Sequence, residues 1–504
     1  MHDITVTPFA SLGEWVDDLA RLYPEKPAFK VGGRARTRGE AADRARALAS
    51  GWSAAGLHAG QTVGIVGEGG PAFVVAFLSA ARAGLVPVLL DPRLTAEEMA
   101  AVCDCTRPRA LALCGGVPPP VPGLRTFSFE ADGCAELEAG GPSSSAPALG
   151  TDPYRTAVML VTSGTSGHPR VVALTAHNLS SNICACADAH PCGSDDVFLS
   201  LLPATHAFEL TTGLIGPLRC GASVVYPESR NPNKLLQLLW SEGVTRVNVV
   251  PAILRMIANE LRDTTEAPAI VAAMRRQLRS IVCGGAPLAR DLAELLVSHG
   301  LPLWLGYGLT EASPVVAVGR LDAVPEGSTG RPVPGVDVCI DPGTGELFVR
   351  GPSVMPGYVG EPEATAAVLR DGWLHTGDAA RIDADGYLFI LGRCRDLIVT
   401  SAGLKLAPDD VEAAYRSALF AEICAVGVPD AAGGGGDKPH LAIVPRPESG
   451  ADREAIAREF VRLSAAAGHR RCAGMTVIAQ ALPRTRTLKL RRDLVRDLVL
   501  QSQR

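Results

Sequence analysis

Between residues 37 and 106 the hydrophobic period switches repeatedly between that of a helix and that of a strand, and this alternation limits the fold more than any other feature of the chain. Thr37-Arg38-Gly39-Glu40 has the form of a capping box, so a helix opens there and runs through Ala41 to Trp52. Thr62-Val63-Gly64-Ile65-Val66 follows as a short strand, Pro71 to Ala83 as a helix, Val86 to Leu90 as a second strand and Leu94 to Cys103 as a further helix. Strands separated by helices are joined by crossovers. The pattern therefore predicts an α/β fold with a mostly parallel sheet covered on both faces.

Downstream, residues 115–150 carry Pro118-Pro119-Pro120 and Ser143-Ser144-Ser145 among glycines and acidic residues, which predicts a long surface connection. A second βα series follows, with short buried strands at Val244 to Val250, Ser280 to Cys283 and Pro302 to Leu305. After about residue 315 the texture becomes turn-rich. Gly345 to Gly351 and Asp383-Ala384-Asp385-Gly386-Tyr387-Leu388-Phe389-Ile390 predict antiparallel hairpins in a β-rich subdomain. Beyond Arg393 short strands and helices return, with a flexible loop at Gly433 to Gly436.

The chain has 504 residues, more than one ordinary core accommodates, so at least two domains are expected. A net charge of −5, with no basic tail, argues against nucleic acid as a partner. The N-terminus lacks the basic and apolar regions of a signal peptide, and the most apolar stretch, Pro71 to Leu90, is broken by Arg82, Gly84 and Pro87. A cytoplasmic protein with no membrane span is the expectation. The 13 cysteines are scattered and odd in number, so reduced core thiols are expected. Cys184, Cys186, His190 and Cys192 cluster in sequence without a C-x-x-C, and on a helix Cys184 and Cys186 point in different directions.

The first chemistry-bearing segment is Val161-Thr162-Ser163-Gly164-Thr165-Ser166-Gly167-His168-Pro169-Arg170, which follows the apolar run Thr156 to Leu160. Glycines that admit positive φ, hydroxyl donors and a terminal cation suit a polyphosphate. The spacing is not that of a Walker A loop, and the same residues also suit an ordinary polar turn between two strands.

Seven segments taken in order decide between these readings. The loop just described, Gly284-Gly285-Ala286-Pro287, Gly306-Tyr307-Gly308-Leu309-Thr310-Glu311, Trp373-Leu374-His375-Thr376-Gly377-Asp378, Gly392-Arg393-Cys394-Arg395-Asp396, Ser401-Ala402-Gly403-Leu404-Lys405-Leu406-Ala407-Pro408 and Pro483-Arg484-Thr485-Arg486-Thr487-Leu488-Lys489 resemble the signature motifs of the adenylate-forming (ANL) superfamily, in its acyl-CoA synthetase branch. Each alone is a common turn sequence. Together they span most of the chain.

The resemblance implies a large N-terminal nucleotide- and acyl-binding domain, residues 1–394, and a small mobile α+β C-terminal domain, residues 395–504, hinged at Arg395. It also implies two half-reactions: a carboxylate attacks the α-phosphate of ATP to give an acyl-adenylate, and the thiol of CoA then displaces AMP. Such displacements depend on positioning and charge neutralisation. Thr162, Ser163, Gly164, Thr165, Ser166, Gly167 and Arg170 would bind phosphate, and Gly285, Ala286, Pro287, Tyr307 and Gly308 adenine. Asp378 and Arg393 would hold the ribose. Lys489, Thr310 and Glu311 would be catalytic, with Glu311 and Thr165 holding Mg²⁺. His206, Phe208, Glu209 and Gly306 would line the acyl pocket, and Gly403 would adjoin CoA. The ordinary alternatives are a solvated basic run for Lys489, an N-cap pair for Thr310 and Glu311, core packing for Tyr307 and His206, and an Asx turn for Asp378.

The Phe208, Leu210 and Leu214 neighbourhood favours an apolar acid, and no aspartate stands near His206 to hold an α-amino group. No carrier-protein segment follows Lys489, which favours CoA as the thiol. Two motifs depart from the family's pattern: Arg170-Val171 stands for Lys-Gly, and Leu488 for the glycine before Lys489. Both fall on adenylation, which leaves two further readings beside a complete ligase. One is a thioesterification-only enzyme fed with acyl-adenylate by a separate adenylating enzyme. The other is a non-catalytic nucleotide- or acyl-binding relative.

Overall fold

The computed structural model describes residues 6–138, 150–163, 169–263, 267–401, 404–430, 436–484 and 490–502. Its contacts divide the chain into two compact units, Met1–Val338 with Val349–Leu374, and Cys339–Phe348 with His375–Arg504. The expected hinge residue Arg395 lies within the second unit, in the one-turn 3-10 helix Cys394–Asp396. Among the described residues no helix is long and apolar enough to cross a membrane.

In the first unit the alternating pattern becomes a seven-stranded sheet. Strand Thr62–Val66 pairs in parallel with Val86–Leu90 on one side and Leu111–Cys114 on the other. Every residue of Val86–Leu90 is buried, as a central parallel strand requires. Thr37 and Glu40 form the capping box of helix Arg38–Ala54, each satisfying a backbone N–H of the other. The helix after strand Val86–Leu90 begins at Ala96, not Leu94, because Thr95 takes the N-cap and forms a second capping box with Glu98.

The stretch after residue 115 departs from the surface connection predicted for it. Thr126–Phe129 is a strand that pairs in parallel with Leu111–Cys114 and ends the sheet, and Ala135–Glu138 is a short helix. Phe127 and Phe129, two residues apart, both point inward and pack on Trp52 with ring centroids 4.9 and 5.8 Å away.

The second sheet of this unit has nine strands. Its parallel part includes Arg246–Val249, Ser280–Cys283 and Leu303–Gly308 in adjacent register. Val315–Arg320 then returns antiparallel to Leu303–Gly308, with a register irregularity between Tyr307 and Gly308. The irregularity has a steric cause. A Cβ on Gly308 would overlap the carbonyl oxygen of Pro314, so only glycine permits this close approach.

In the second unit, residues 375–382 of strand Trp373–Ile382 form the predicted hairpin with Leu388–Arg393, and Asp378 is paired with Arg393 across it. Phe420–Pro429, Asp437–Pro445 and Gly474–Val477 make a three-stranded sheet with helices Pro408–Ala414, Arg453–Ala466 and Arg492–Ser502 around it. The sheet has an apolar core on each face, one around Val411, Tyr415 and Ile456, the other around Cys424, Val495 and Val499.

Candidate active site

A cavity of about 130 Å³ opens in the first unit at the carboxyl ends of the parallel strands, where open α/β sheets present their ligand sites. Gly285, Gly306, Tyr307 and Gly308 line it, together with Asn248, Val282 and Gly284 from the neighbouring strands and turns. Two of the motif segments, which begin 22 residues apart at Gly284 and Gly306, are thus brought together by the parallel pairing of the strands that lead into them, Ser280–Cys283 and Leu303–Gly308. A Cβ at Gly284 would stand 3.3 Å from the Gly306 carbonyl oxygen and 3.4 Å from the Phe208 ring, so a side chain there would crowd both. Ala286 and Pro287 continue from Gly285 as exposed residues and do not line the cavity.

The opposite wall comes from helix Ala176–Ala189 and from a wide π-helical turn, Glu209–Ile215. Single π-turns recur at functional sites because the extra residue per turn re-aims side chains. Here Phe208, Thr211 and Thr212 face the cavity. Glu209 does not line it. Its carboxyl group is buried against Ser200, whose hydroxyl donates to Oε1 at 2.5 Å, and burial pushes its pKa up to about 8. His206 is likewise not a lining residue; it ends the turn begun at Pro203 and lies close enough to Asp91 to help hold that carboxyl below its ordinary value.

Of the sequence-predicted nucleotide residues, Thr162 and Ser163 end strand Thr156–Ser163, opposite Arg170 and Pro169 of the returning strand. Gly164, Thr165, Ser166 and Gly167 lie outside the described residues, as do Gly403, Leu488 and Lys489 and the Gly433 to Gly435 part of the predicted loop. Arg170 stacks its guanidinium over the Tyr358 ring, 5.2 Å from the centroid, and approaches Glu361 at 3.5 Å. The Tyr358 hydroxyl donates to Glu311 Oε1 at 2.8 Å. Burial and the adjacent Glu311 carboxylate raise the Tyr358 pKa, so the phenol stays protonated and keeps donating. Tyr358 therefore links Arg170 and Glu311. Thr310 begins the one-turn 3-10 helix Thr310–Ala312, and Glu311 follows it there; both are half-buried.

In the second unit Asp378 and Arg393 form an ion pair at 3.1 Å, and Arg393 also donates to the Thr376 carbonyl at 3.1 Å. Asp378 is buried, its N–H donating to the Thr376 hydroxyl. Gly377 between them adopts φ of +69°, the left-handed turn that the Thr-Gly-Asp segment needs.

Sequence reasoning did not single out Tyr358, Asn248 or Thr211 as site residues. Tyr358 touches Glu311 and Arg170 from 47 and 188 positions away, and no local pattern signals that contact. The clustered Cys184, Cys186, His190 and Cys192 are not gathered for a metal. Cys184 donates to the Val6 carbonyl at 3.3 Å, whereas Cys186 lines the cavity with His190 and Cys192. Among the described residues no group of three or more His, Cys, Asp or Glu side chains is placed to hold a metal ion.

Comparison with known proteins agrees with this architecture. A feruloyl-CoA synthase of Amycolatopsis is 34% identical over 431 residues, covering 83% of this chain and 86% of the relative. An indoleacetate–CoA ligase of Aromatoleum aromaticum is 30% identical and covers 97% of this chain and 98% of its own. The O-succinylbenzoate coenzyme A synthetase of Bacillus subtilis, in complex with ATP and magnesium ion, shares the fold with a TM-score of 0.81, at 24% identity and covering 95% of this chain and 98% of that one. The model of the AMP-binding enzyme family matches residues 16–359, and the chain belongs to that family.

Proposed function

We propose that the protein is an ATP-dependent acyl-CoA ligase that activates a flat, hydrophobic carboxylic acid as its acyl-adenylate and transfers the acyl group to CoA. The observation that carries this reading is the cavity lined by Phe208, Gly284, Gly285, Gly306, Tyr307 and Gly308, the last of which leads into the segment that bears Thr310 and Glu311. A planar acid can lie in such a cavity with its faces against apolar atoms. Feruloyl, coumaroyl and indoleacetyl groups, named for the relatives, are of this shape.

In this reading Glu311 would hold Mg²⁺: Tyr358 occupies one carboxylate oxygen by donation, which orients the other toward a hard cation. The ion, when bound, neutralises phosphate charge. Tyr307 packs on adenine, Thr310 donates to the α-phosphate, and Asp378 with Arg393 accepts and donates to the ribose hydroxyls. Lys489 would supply the cation of adenylation, Gly403 would serve CoA, and Arg395 would be the hinge between the two half-reactions.

A second reading has a specific motivation. Arg170 stands where the family places lysine, and its charge is shared with Glu361 and the Tyr358 ring, so less of it is available to phosphate. A protein of this kind would take acyl-adenylate from a separate adenylating enzyme. The deciding experiment pairs two reactions read by mass spectrometry: a panel of ring-bearing acids with ATP, Mg²⁺ and CoA, and synthetic acyl-adenylates with CoA. Thioester in both is the expected result. Thioester from the adenylate alone replaces it with the second reading, and none in either points to a non-catalytic binder.

A further inference from the structure

Among the described residues, one polar group that lines the cavity has no partner. Thr211 Oγ1 is fully buried, lines the cavity and makes no hydrogen bond. Its neighbour shows the contrast. The Thr212 hydroxyl donates to the Phe208 carbonyl at 2.7 Å, the ordinary bond of a helical threonine to the preceding turn, and accepts from the Asn248 amide at 3.0 Å. Buried hydroxyls are almost always bonded, so an orphan aimed into a ligand cavity calls for an explanation.

A second polar group lies deeper. His190 lines the cavity where its ring meets Trp304, with centroids 4.2 Å apart, and Arg246, whose Nη1 lies 2.9 Å from Nε2. Arg246 starts strand Arg246–Val249 and Trp304 stands four residues before Gly308, so His190 sits far from the Gly285 and Gly308 end. The same Nη1 lies 3.4 Å from Nδ1, so the guanidinium faces both ring nitrogens. Burial and the neighbouring guanidinium push the His190 pKa down to about 3, so the ring stays neutral across the working pH range and carries one N–H that can donate. Much of the remaining wall is apolar, including Ile183, Phe198, Phe208, Val282, Val315 and Val318.

Resting on the ligase reading, we propose that the acid carries a hydrogen-bonding substituent, a hydroxyl in the simplest case, on the part remote from its carboxylate, and that Thr211 and His190 are the residues that select it. An acid of the same shape without that substituent would leave the Thr211 hydroxyl buried and unpaired and the His190 N–H without a ligand acceptor, which is how a pocket rejects an analogue that it could otherwise fit.

The test uses the full chain and matched pairs of ring-bearing acids that differ by one hydroxyl remote from the carboxylate. With ATP, Mg²⁺ and CoA, the wild type is expected to favour the hydroxylated member of at least one pair by about 10- to 100-fold in kcat/KM. Thr211→Val, nearly the same volume without the hydroxyl, is expected to bring that ratio close to one, and Thr211→Ser to restore it; His190→Phe should shift the ratio the same way. Equal kcat/KM for both members of every pair in the wild type overturns the proposal, as does a ratio that Thr211→Val leaves unchanged. The same pairs are measured by calorimetry without ATP. If no acid turns over, the ligase reading fails, and the binding ratio and its loss in Thr211→Val still decide the selection proposal.

Discussion

Phe208 and Glu209 are adjacent, yet one faces the cavity and the other is sealed against Ser200. Side-chain direction in a π-turn follows the local winding, and no property of the two residues taken singly reveals it. The consequence for Glu209 is a pH dependence of stability. Its pKa, about 8 in the folded protein against an ordinary 4.5, means that the unfolded chain loses this proton first as pH rises. The native state then holds more protons, so this group's contribution to stability falls between about pH 4.5 and 8 and is level above that. Glu209→Gln keeps an acceptor for Ser200 and is expected to remove the slope. Its melting temperature should exceed the wild type's by about 5 °C at pH 8.5 and match it near pH 4.5, measured by calorimetry across that range. At this scale Phe208, Gly306, Tyr307 and Gly308 were legible as cavity residues because motif glycines and aromatics mark them. His206 and Glu209, placed there by the same reasoning, line no part of it.

Elements were most legible where a hydroxyl and an N3 partner bracket a helix start. Thr37 with Glu40 is such a case, and Thr95 with Glu98 and Thr175 with Asn178 follow the same chemistry. Asn178 does more than cap. Its Oδ1 accepts from the Thr175 N–H at 2.9 Å while its amide donates to the Pro352 and Val354 carbonyls at 2.8 and 2.9 Å, which ties helix Ala176–Ala189 to the segment leading to Tyr358. Asn178→Ala removes the side-chain partner of both part-buried carbonyls together with the cap bond and should cost about 1–3 kcal/mol, read as a lower urea midpoint at unchanged slope. Strand Thr126–Phe129 was not legible. With two apolar residues in four, set among prolines and glycines, it has no periodic signal of its own, and the surface that buries it belongs to Trp52.

At the scale of the whole molecule the chain passes between its two units at 338/339, 348/349 and 374/375, and Arg395 follows in an exposed turn. If that turn is the pivot between half-reactions, Arg395→Pro, which restricts φ, should slow thioester formation from supplied acyl-adenylate and CoA at least about tenfold while the melting temperature stays near the wild type's. An unchanged rate would place the pivot elsewhere. What the sequence determined by itself was whatever short-range physics decides: helix starts from capping boxes, parallel strands from uniformly apolar runs, hairpins from Asp-Gly turns, and the chemical type and order of the motif residues. Only the tertiary structure decided which of those residues share a wall. That depends on strand register and on the winding of one turn, and it joins Tyr358 to Glu311 and Arg170, and His190 to Arg246 and Trp304, across separations at which local sequence exerts no force.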